Sequence, residues 1–150
     1  MIERAPYSYR GDPAVPAFPD DRPILFFDGV CVLCTGFADF ILRHDRAGAL
    51  RLAAAQSPIG QALYRHYGLD PTRFTTNLLL ADGRPILKSD AFIETMARLP
   101  APWPLFRLLR IAPASFRDWV YDPIARNRKR IFGERSACRL PTPEEAARFL

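Results

Sequence analysis

Residues 23–34 read Pro23-Ile24-Leu25-Phe26-Phe27-Asp28-Gly29-Val30-Cys31-Val32-Leu33-Cys34. The apolar run after the proline is typical of a short strand covered on both faces, and the Asp-Gly pair is typical of a turn. Apolar residues at helical spacing begin near the second cysteine. Two cysteines separated by two residues at a helix start can close a small disulfide ring. The stretch therefore predicts a redox dithiol in a strand, turn and helix setting.

The first cysteine of the pair is the candidate nucleophile. The unpaired N–H groups and the dipole at a helix start favour a thiolate at Cys31. We expect Cys31 to attack a substrate disulfide and Cys34 to resolve the mixed disulfide, which requires an exposed Cys31 and a shielded Cys34. Two other interpretations stay open: two core cysteines three positions apart, or a metal site completed by further ligands such as Cys138.

Length and composition indicate one domain with a real core, since the chain has 150 residues of which 49% are hydrophobic. Three cysteines are too few for a secreted disulfide framework. No apolar run is long enough to span a bilayer, and the first residues do not resemble a secretory signal. We expect a cytoplasmic protein that needs no bound cofactor.

The net charge of +5 is concentrated near the C-terminus, where residues 105–140 hold nine Arg and Lys against three acids. Basic helices usually present a solvated face, but they can also attract acidic partners. The basic cluster Arg126, Arg128, Lys129 and Arg130 has no interleaved stacking aromatics apart from Phe132, so we do not expect nucleic-acid binding.

The pattern along the chain predicts a strand, helix, strand and helix, followed by a hairpin and a helix. Residues 1–22 carry four prolines and no apolar period, which predicts an extended or disordered tail, with residues 23–150 as one domain. The next elements expected are a strand over 50–54 and a helix capped by Ser57 with Pro58 in its first turn. They are followed by strands over 74–81 and 84–88, joined by the Asp82-Gly83 turn, and by a helix capped by Ser89 that runs through Arg98.

A proline-rich linker at residues 100–104 leads to a helical C-terminal region over about 104–133, which Gly133 should end. Pro123 predicts a restart or a kink near Asp122. The whole order predicts an α/β fold of the thioredoxin-like type: a four-stranded mixed sheet flanked by helices, with an added helical C-terminal region.

Beyond the dithiol, two C-terminal stretches match a known family pattern. These are Ala125-Arg126-Asn127-Arg128-x-Arg130-x-Phe132-Gly133 and Ala137-Cys138-Arg139-Leu140-Pro141. Together with Asp28-Gly29-x-Cys31-x-x-Cys34 they make the chain resemble the DCC family of predicted thiol-disulfide oxidoreductases over roughly residues 23–141. The resemblance implies a thioredoxin-like fold and a protein-disulfide reductase or related activity. The resemblance does not identify a substrate. We expect a disulfide-containing protein or a small-molecule thiol as substrate and an unidentified electron donor.

Several residues are candidates for accessory roles. Thr76 stands where thioredoxin-like enzymes usually carry a cis-proline, so a trans or differently shaped loop is expected there. Asp28 can accept a cysteine proton or form the turn. Cys138, beside two arginines, is either a third redox thiol or a buried anchor. Arg126, Asn127 and Arg130 either line an anion site near the dithiol or solvate the last helix.

Overall fold

The computed structural model describes residues 5–45, 48–70, 77–100, 102–133 and 149. Its regular elements are four strands, four α-helices and two 3₁₀ helices. The strands are β1 (Ile24–Phe27), β2 (Arg51–Ala54), β3 (Leu78–Ala81) and β4 (Arg84–Leu87). The α-helices are α1 (Val32–His44), α2 (Pro58–His66), α3 (Lys88–Ala97) and α4 (Ala114–Phe132), and the 3₁₀ helices are Ser8–Gly11 and Trp103–Ile111.

The strands form one mixed sheet in the order β2-β1-β3-β4. β1 runs parallel to β2 and antiparallel to β3, and β3 and β4 form an antiparallel hairpin. This confirms the predicted thioredoxin-like sheet. Because β3 is antiparallel to β1, the start of β3 lies beside the end of β1, where the Asp28-Gly29 turn leads into α1.

Helices cover both faces of the sheet, and alternate strand residues face opposite sides. On one face Ile24, Phe26 and Leu78 pack with α2 residues such as Leu63 and Tyr64. The opposite face carries α1 and α3, whose buried residues pack on Leu25, Phe27 and Leu79. The two faces explain why β1 is buried at all four positions, as its uninterrupted apolar run predicts.

Residues 5–22 lie against the α2 face of the sheet. The 3₁₀ helix Ser8–Gly11 places Tyr9 inside the core cluster of that face, with 3% of its surface exposed. The Tyr9 hydroxyl donates to Asp20 Oδ2 at 2.7 Å, and the Tyr7 N–H donates to the Gly83 carbonyl at 2.9 Å. The described part of the N-terminal segment is thus held by core packing and by the hairpin turn.

Two local expectations need correction, the second only in part: α4 does not restart near Asp122, while a kink there stays a prediction. Ser89 does not cap α3: the N-cap is Leu87, and Ser89 lies inside the helix, where its hydroxyl donates to Asp118 Oδ1 at 2.7 Å. β4 therefore passes into α3 without a separate capping residue. Helix α4 also does not restart near Asp122, since it is continuous through Pro123. Its end is as expected, because Gly133 follows the last helical residue with a φ of +94°.

The predicted third strand is shorter than expected in the part that the structure describes. It begins at Leu78, and residues 71–76, which include the first residues of the predicted strand, lie outside the described residues. Among the helices that are described, none is long and apolar enough to cross a membrane.

Candidate active site

The dithiol lies at the end of β1, where the chain turns into α1. Asp28 accepts the Cys31 N–H at its backbone carbonyl at 3.2 Å and the Val30 N–H at its side chain at 3.1 Å. Cys31 is the N-cap of α1, and its carbonyl accepts the Thr35 N–H at 2.9 Å. The turn thus sets Cys31 at the helix start and Cys34 in the first helical turn.

Asp28 is the centre of a buried polar network behind the dithiol. Its side chain accepts a hydrogen bond from Gln56 Nε2 at 2.6 Å, and Arg128 Nη2 of α4 lies 3.0 Å from its other oxygen. The side chains of Asp28 and Arg128 are 1% and 7% exposed. Gln56 also accepts the Gly29 N–H at 2.9 Å. The carboxylate therefore forms the turn and pairs with a buried guanidinium, which links residues 100 positions apart.

The exposure of the two cysteines is the reverse of the expectation from sequence. Cys31 is fully buried, at 0% exposure, whereas Cys34 is partly exposed. One contact at this point comes from the end of α4, since the Val32 N–H donates to the Gly133 carbonyl at 3.2 Å. The C-terminal end of α4 thus lies next to the dithiol.

The electrostatics of the pair place the negative charge on Cys31. A hydrogen bond from Cys34 lowers the pKa of Cys31 to about 6, and the charge of Arg128 acts in the same direction, while burial opposes both. The hydrogen bond to Cys31, together with burial, raises the pKa of Cys34 well above that of a free thiol. At neutral pH the pair therefore holds one proton, on Cys34, and one charge, on Cys31.

A large apolar cavity opens beside Cys34. Its volume is about 540 Å³, and its walls come from α1, α3, the 3₁₀ helix Trp103–Ile111 and α4. Asp28 and Arg128 border its inner end together with Tyr121, whose hydroxyl donates to Asn77 Oδ1 at 2.8 Å. Burial raises the pKa of Tyr121 to about 12, so this hydroxyl stays protonated at neutral pH.

Sequence reasoning missed Arg128, Gln56 and Tyr121. Helical spacing on α4 could have identified Arg128 and Tyr121. Tyr121, Ala125 and Arg128 are separated by four and three positions, so they share one face of the helix. For Gln56 we find no signal in the sequence, since it follows a strand by two residues like many loop residues.

The described contacts do not bring the accessory residues predicted on α4 to the dithiol or to the cavity. Arg126, Asn127 and Arg130 are not buried, and the Asn127 side chain donates to the carbonyl of Pro123, in its own helix, at 2.7 Å. They lie off the helical face that carries Arg128 inward. Thr76 and Cys138 lie outside the described residues. In the described ranges no group of three or more His, Cys, Asp or Glu side chains is arranged to hold a metal ion.

Fold and site together define a thioredoxin-like protein with a CxxC dithiol at the start of its first helix. Residues 25–134 match the DCC1-like family, described as DCC1-like thiol-disulfide oxidoreductase. The chain belongs to this family, which confirms the resemblance drawn from the sequence.

Two curated relatives cover most of the chain. An uncharacterized protein, YuxK, of Bacillus subtilis (strain 168) is 41% identical over 127 residues, which span 85% of this chain and 93% of that protein. The DCC family protein At1g52590, chloroplastic, of Arabidopsis thaliana is 38% identical over 122 residues, which span 81% of this chain and 71% of that protein. No solved structure matches the chain.

Proposed function

We propose that the protein is a thiol-disulfide oxidoreductase of the protein-disulfide reductase type, which cycles Cys31 and Cys34 between a dithiol and a disulfide. The observation that carries the proposal is the placement of the pair: Cys31 caps α1 and Cys34 lies in its first turn. A hydrogen bond from Cys34 lowers the pKa of Cys31 to about 6, which favours the thiolate. A thiolate is the reactive form of cysteine, and a second thiol within hydrogen-bond reach can release the mixed disulfide.

Two observations bear on which cysteine reacts first in this cycle. The lowered pKa of Cys31 supports attack by Cys31 and resolution by Cys34, as the sequence predicts. The burial of Cys31 instead favours first contact between a substrate and Cys34. In either order one sulfur forms a mixed disulfide, the other displaces the substrate thiol, and the cycle ends in a Cys31–Cys34 disulfide with two electrons passed to the substrate.

Asp28 and Arg128 act on this chemistry as positioning residues. Arg128 places a buried positive charge near the pair, which favours the thiolate at Cys31, and Asp28 holds that guanidinium in place while it also forms the turn. A carboxylate close to a thiol by itself disfavours the thiolate. The ion pair therefore moderates the effect of the arginine.

The first test is equilibration of the reduced protein in glutathione buffers of graded potential, followed by acid quenching and mass spectrometry. We expect a reversible intramolecular disulfide that Cys31→Ser and Cys34→Ser abolish and that the control Cys138→Ser retains. In parallel, the pH dependence of alkylation at Cys31 should show a midpoint near 6. Alkylation of both residues with the midpoint of a free thiol, about 8.5, together with no disulfide, would refute the proposal.

Turnover is a separate measurement. With dithiothreitol as electron donor, the wild-type protein should reduce insulin faster than dithiothreitol does by itself, and the two serine variants should not. The physiological donor is taken to be a thiol system of the cytoplasm, the compartment that keeps dithiols reduced and in which we place the protein.

A second candidate function, a binding module with a basic partner surface, is favoured by the C-terminal helices. Leu105, Ile111 and Trp119 are 64%, 85% and 69% exposed, and arginines at positions 107 and 110 lie among them. Exposed apolar side chains next to basic ones suit an anionic membrane surface. Co-sedimentation with vesicles of anionic phospholipid, but not of neutral phospholipid, by the protein with both Cys31 and Cys34 changed to Ser would support this function independently of redox activity.

A further inference from the structure

The cavity beside Cys34 has the dimensions of a small-molecule site. Its volume of about 540 Å³ lies within the range of ordinary ligand pockets. The walls are built from large apolar side chains on four helices, among them Leu33, Phe37, Phe92, Leu109, Phe116 and Ile124. Apolar surface left in contact with water or with an empty space is unfavourable, so an apolar occupant would stabilise this arrangement.

Several polar groups at the cavity wall already have partners within the protein. Asn77 and Tyr121 bond to each other, and Asp28 pairs with Arg128. Ser89 donates to Asp118 at 2.7 Å and accepts from Arg117 at 3.1 Å. A charged or strongly polar ligand would have to compete with these bonds while it loses its own hydration. These bonds and the apolar walls favour an uncharged molecule.

Among the described residues, Cys34 is the cysteine that borders the cavity. We propose that the cavity binds the substrate of the dithiol, and that this substrate is a small, uncharged, largely apolar disulfide whose sulfur meets Cys34. The inference rests on the proposed redox function and adds to it the class of substrate and the sulfur of first contact.

The chemistry balances with the two thiols and one disulfide. As Cys34 Sγ attacks one sulfur of the substrate R–S–S–R, the hydrogen-bonded Cys31 thiolate acts as general base and takes the Cys34 proton, which gives a Cys34–S–S–R bond and releases R–S⁻. Cys31 then attacks Cys34 Sγ, its proton leaves with the second R–S group, and the Cys31–Cys34 disulfide forms. The pair loses two electrons, and the substrate is reduced to one thiol and one thiolate.

The test compares two oxidants on cavity-filling and control variants. Ala125 lines the cavity and is 7% exposed, whereas Ala114 is exposed at the start of the same helix. The oxidants are 2,2′-dithiodipyridine, which is uncharged and aromatic, and oxidised glutathione, which is charged. We expect Ala125→Leu to slow oxidation by the aromatic reagent at least about tenfold, the scale of a misfit in an apolar pocket, and to slow glutathione oxidation much less. Ala114→Leu should change neither rate.

A second cavity variant and a binding measurement guard against misfolding of the first. Ile124→Trp fills the cavity from a half-exposed position and should act like Ala125→Leu. The protein with both cysteines changed to Ser should bind the uncharged fluorophore N-phenyl-1-naphthylamine, and either filling substitution should abolish that binding. With Cys31→Ser, 2,2′-dithiodipyridine should leave a mixed disulfide on Cys34.

The outcomes separate the two proposals. Equal effects of the filling variants on both oxidants, or unchanged fluorophore binding, would overturn the cavity proposal while the redox function stands. Fluorophore binding that the filling variants abolish, without any intramolecular disulfide in the wild-type protein, would show a ligand cavity and overturn the redox function. The same result would also overturn the proposal that the substrate is a disulfide.

Discussion

Replacement of Arg128 by Met removes the guanidinium of the buried ion pair and keeps most of the side-chain length. In the wild-type protein Arg128 Nη2 lies 3.0 Å from Asp28 Oδ2, and both side chains are nearly inaccessible. After the substitution the carboxylate keeps its bonds from Gln56 and Val30 but loses its buried counter-charge. Breaking one side of such a pair typically costs about 3–5 kcal/mol of unfolding free energy. We expect a loss of that size for the reduced protein.

The assay is urea unfolding of the reduced protein at constant pH, followed by circular dichroism. The double variant Asp28→Asn with Arg128→Met removes both charges and should recover most of the lost stability, because no carboxylate is then buried without its counter-charge. The control is Arg126→Met, on the exposed side of the same helix, which should unfold close to the wild-type midpoint. A single Arg128→Met variant within about 0.5 kcal/mol of wild type, the range of surface substitutions, would refute the reasoning.

The same variants distinguish stability from the electrostatic effect on the thiol. Arg128 lowers the pKa of Cys31 by its charge, so Arg128→Met should move the alkylation midpoint of Cys31 upward from about 6. In the double variant the stability returns, but the midpoint should recover only in part, because the positive charge is still missing while the opposing charge of Asp28 is also gone. Full recovery of both properties in the double variant would show that Arg128 does not act on Cys31 through its charge.

Three further predictions concern stability. The folded pKa of Cys31 is about 6, below the free-thiol value, so the reduced protein binds fewer protons at Cys31 than the unfolded chain does. Its free energy of unfolding should therefore rise with pH between about 6 and 8.5 and lose this contribution as the pH falls through 6. Urea titrations at graded pH test this, and the disulfide form should lack the dependence. Gly60→Ala should destabilise, because an added Cβ would lie 2.6 Å from the Ala55 carbonyl oxygen, whereas Gly36→Ala, where no described atom lies within 4 Å, should stabilise by up to about 1 kcal/mol in thermal melts. Tyr9→Phe removes the 2.7 Å bond to a carboxylate and should cost about 1–2 kcal/mol in urea unfolding; an unchanged midpoint would contradict the docking of the N-terminal segment.

Much of the fold was predictable because its signals are local. Ser57 caps α2 as expected, since its hydroxyl accepts the Gly60 N–H at 3.1 Å, and Pro58 occupies the first turn. Asp82 and Gly83 both have positive φ, at 51° and 74°, which is the conformation that an Asp-Gly hairpin turn adopts. The apolar run of β1 gave that strand its bounds. Each of these elements depends on residues only a few positions apart.

The site was predicted less completely because it depends on contacts between distant parts of the chain. The motif identified the cysteines and the turn at Asp28, but the partner of Asp28 lies 100 residues away. Arg126, Asn127 and Arg130 belong to the same basic run as Arg128, and composition does not distinguish them. What distinguishes Arg128 from the other three residues is the direction of its side chain around α4. The role of that direction depends on which face of the helix packs on the dithiol.

Helix α4 is therefore half of the site rather than an appendage to a thioredoxin-like core. It supplies the guanidinium that favours the Cys31 thiolate, the Tyr121 hydroxyl and one wall of the cavity, and its end bonds to the start of α1 through Gly133. Without α4 the dithiol would keep its helix start but lose its buried positive charge and its apolar enclosure. Since charge stabilises a thiolate and an enclosure selects among ligands, we expect both the reactivity and the selectivity of the proposed redox dithiol to depend on α4.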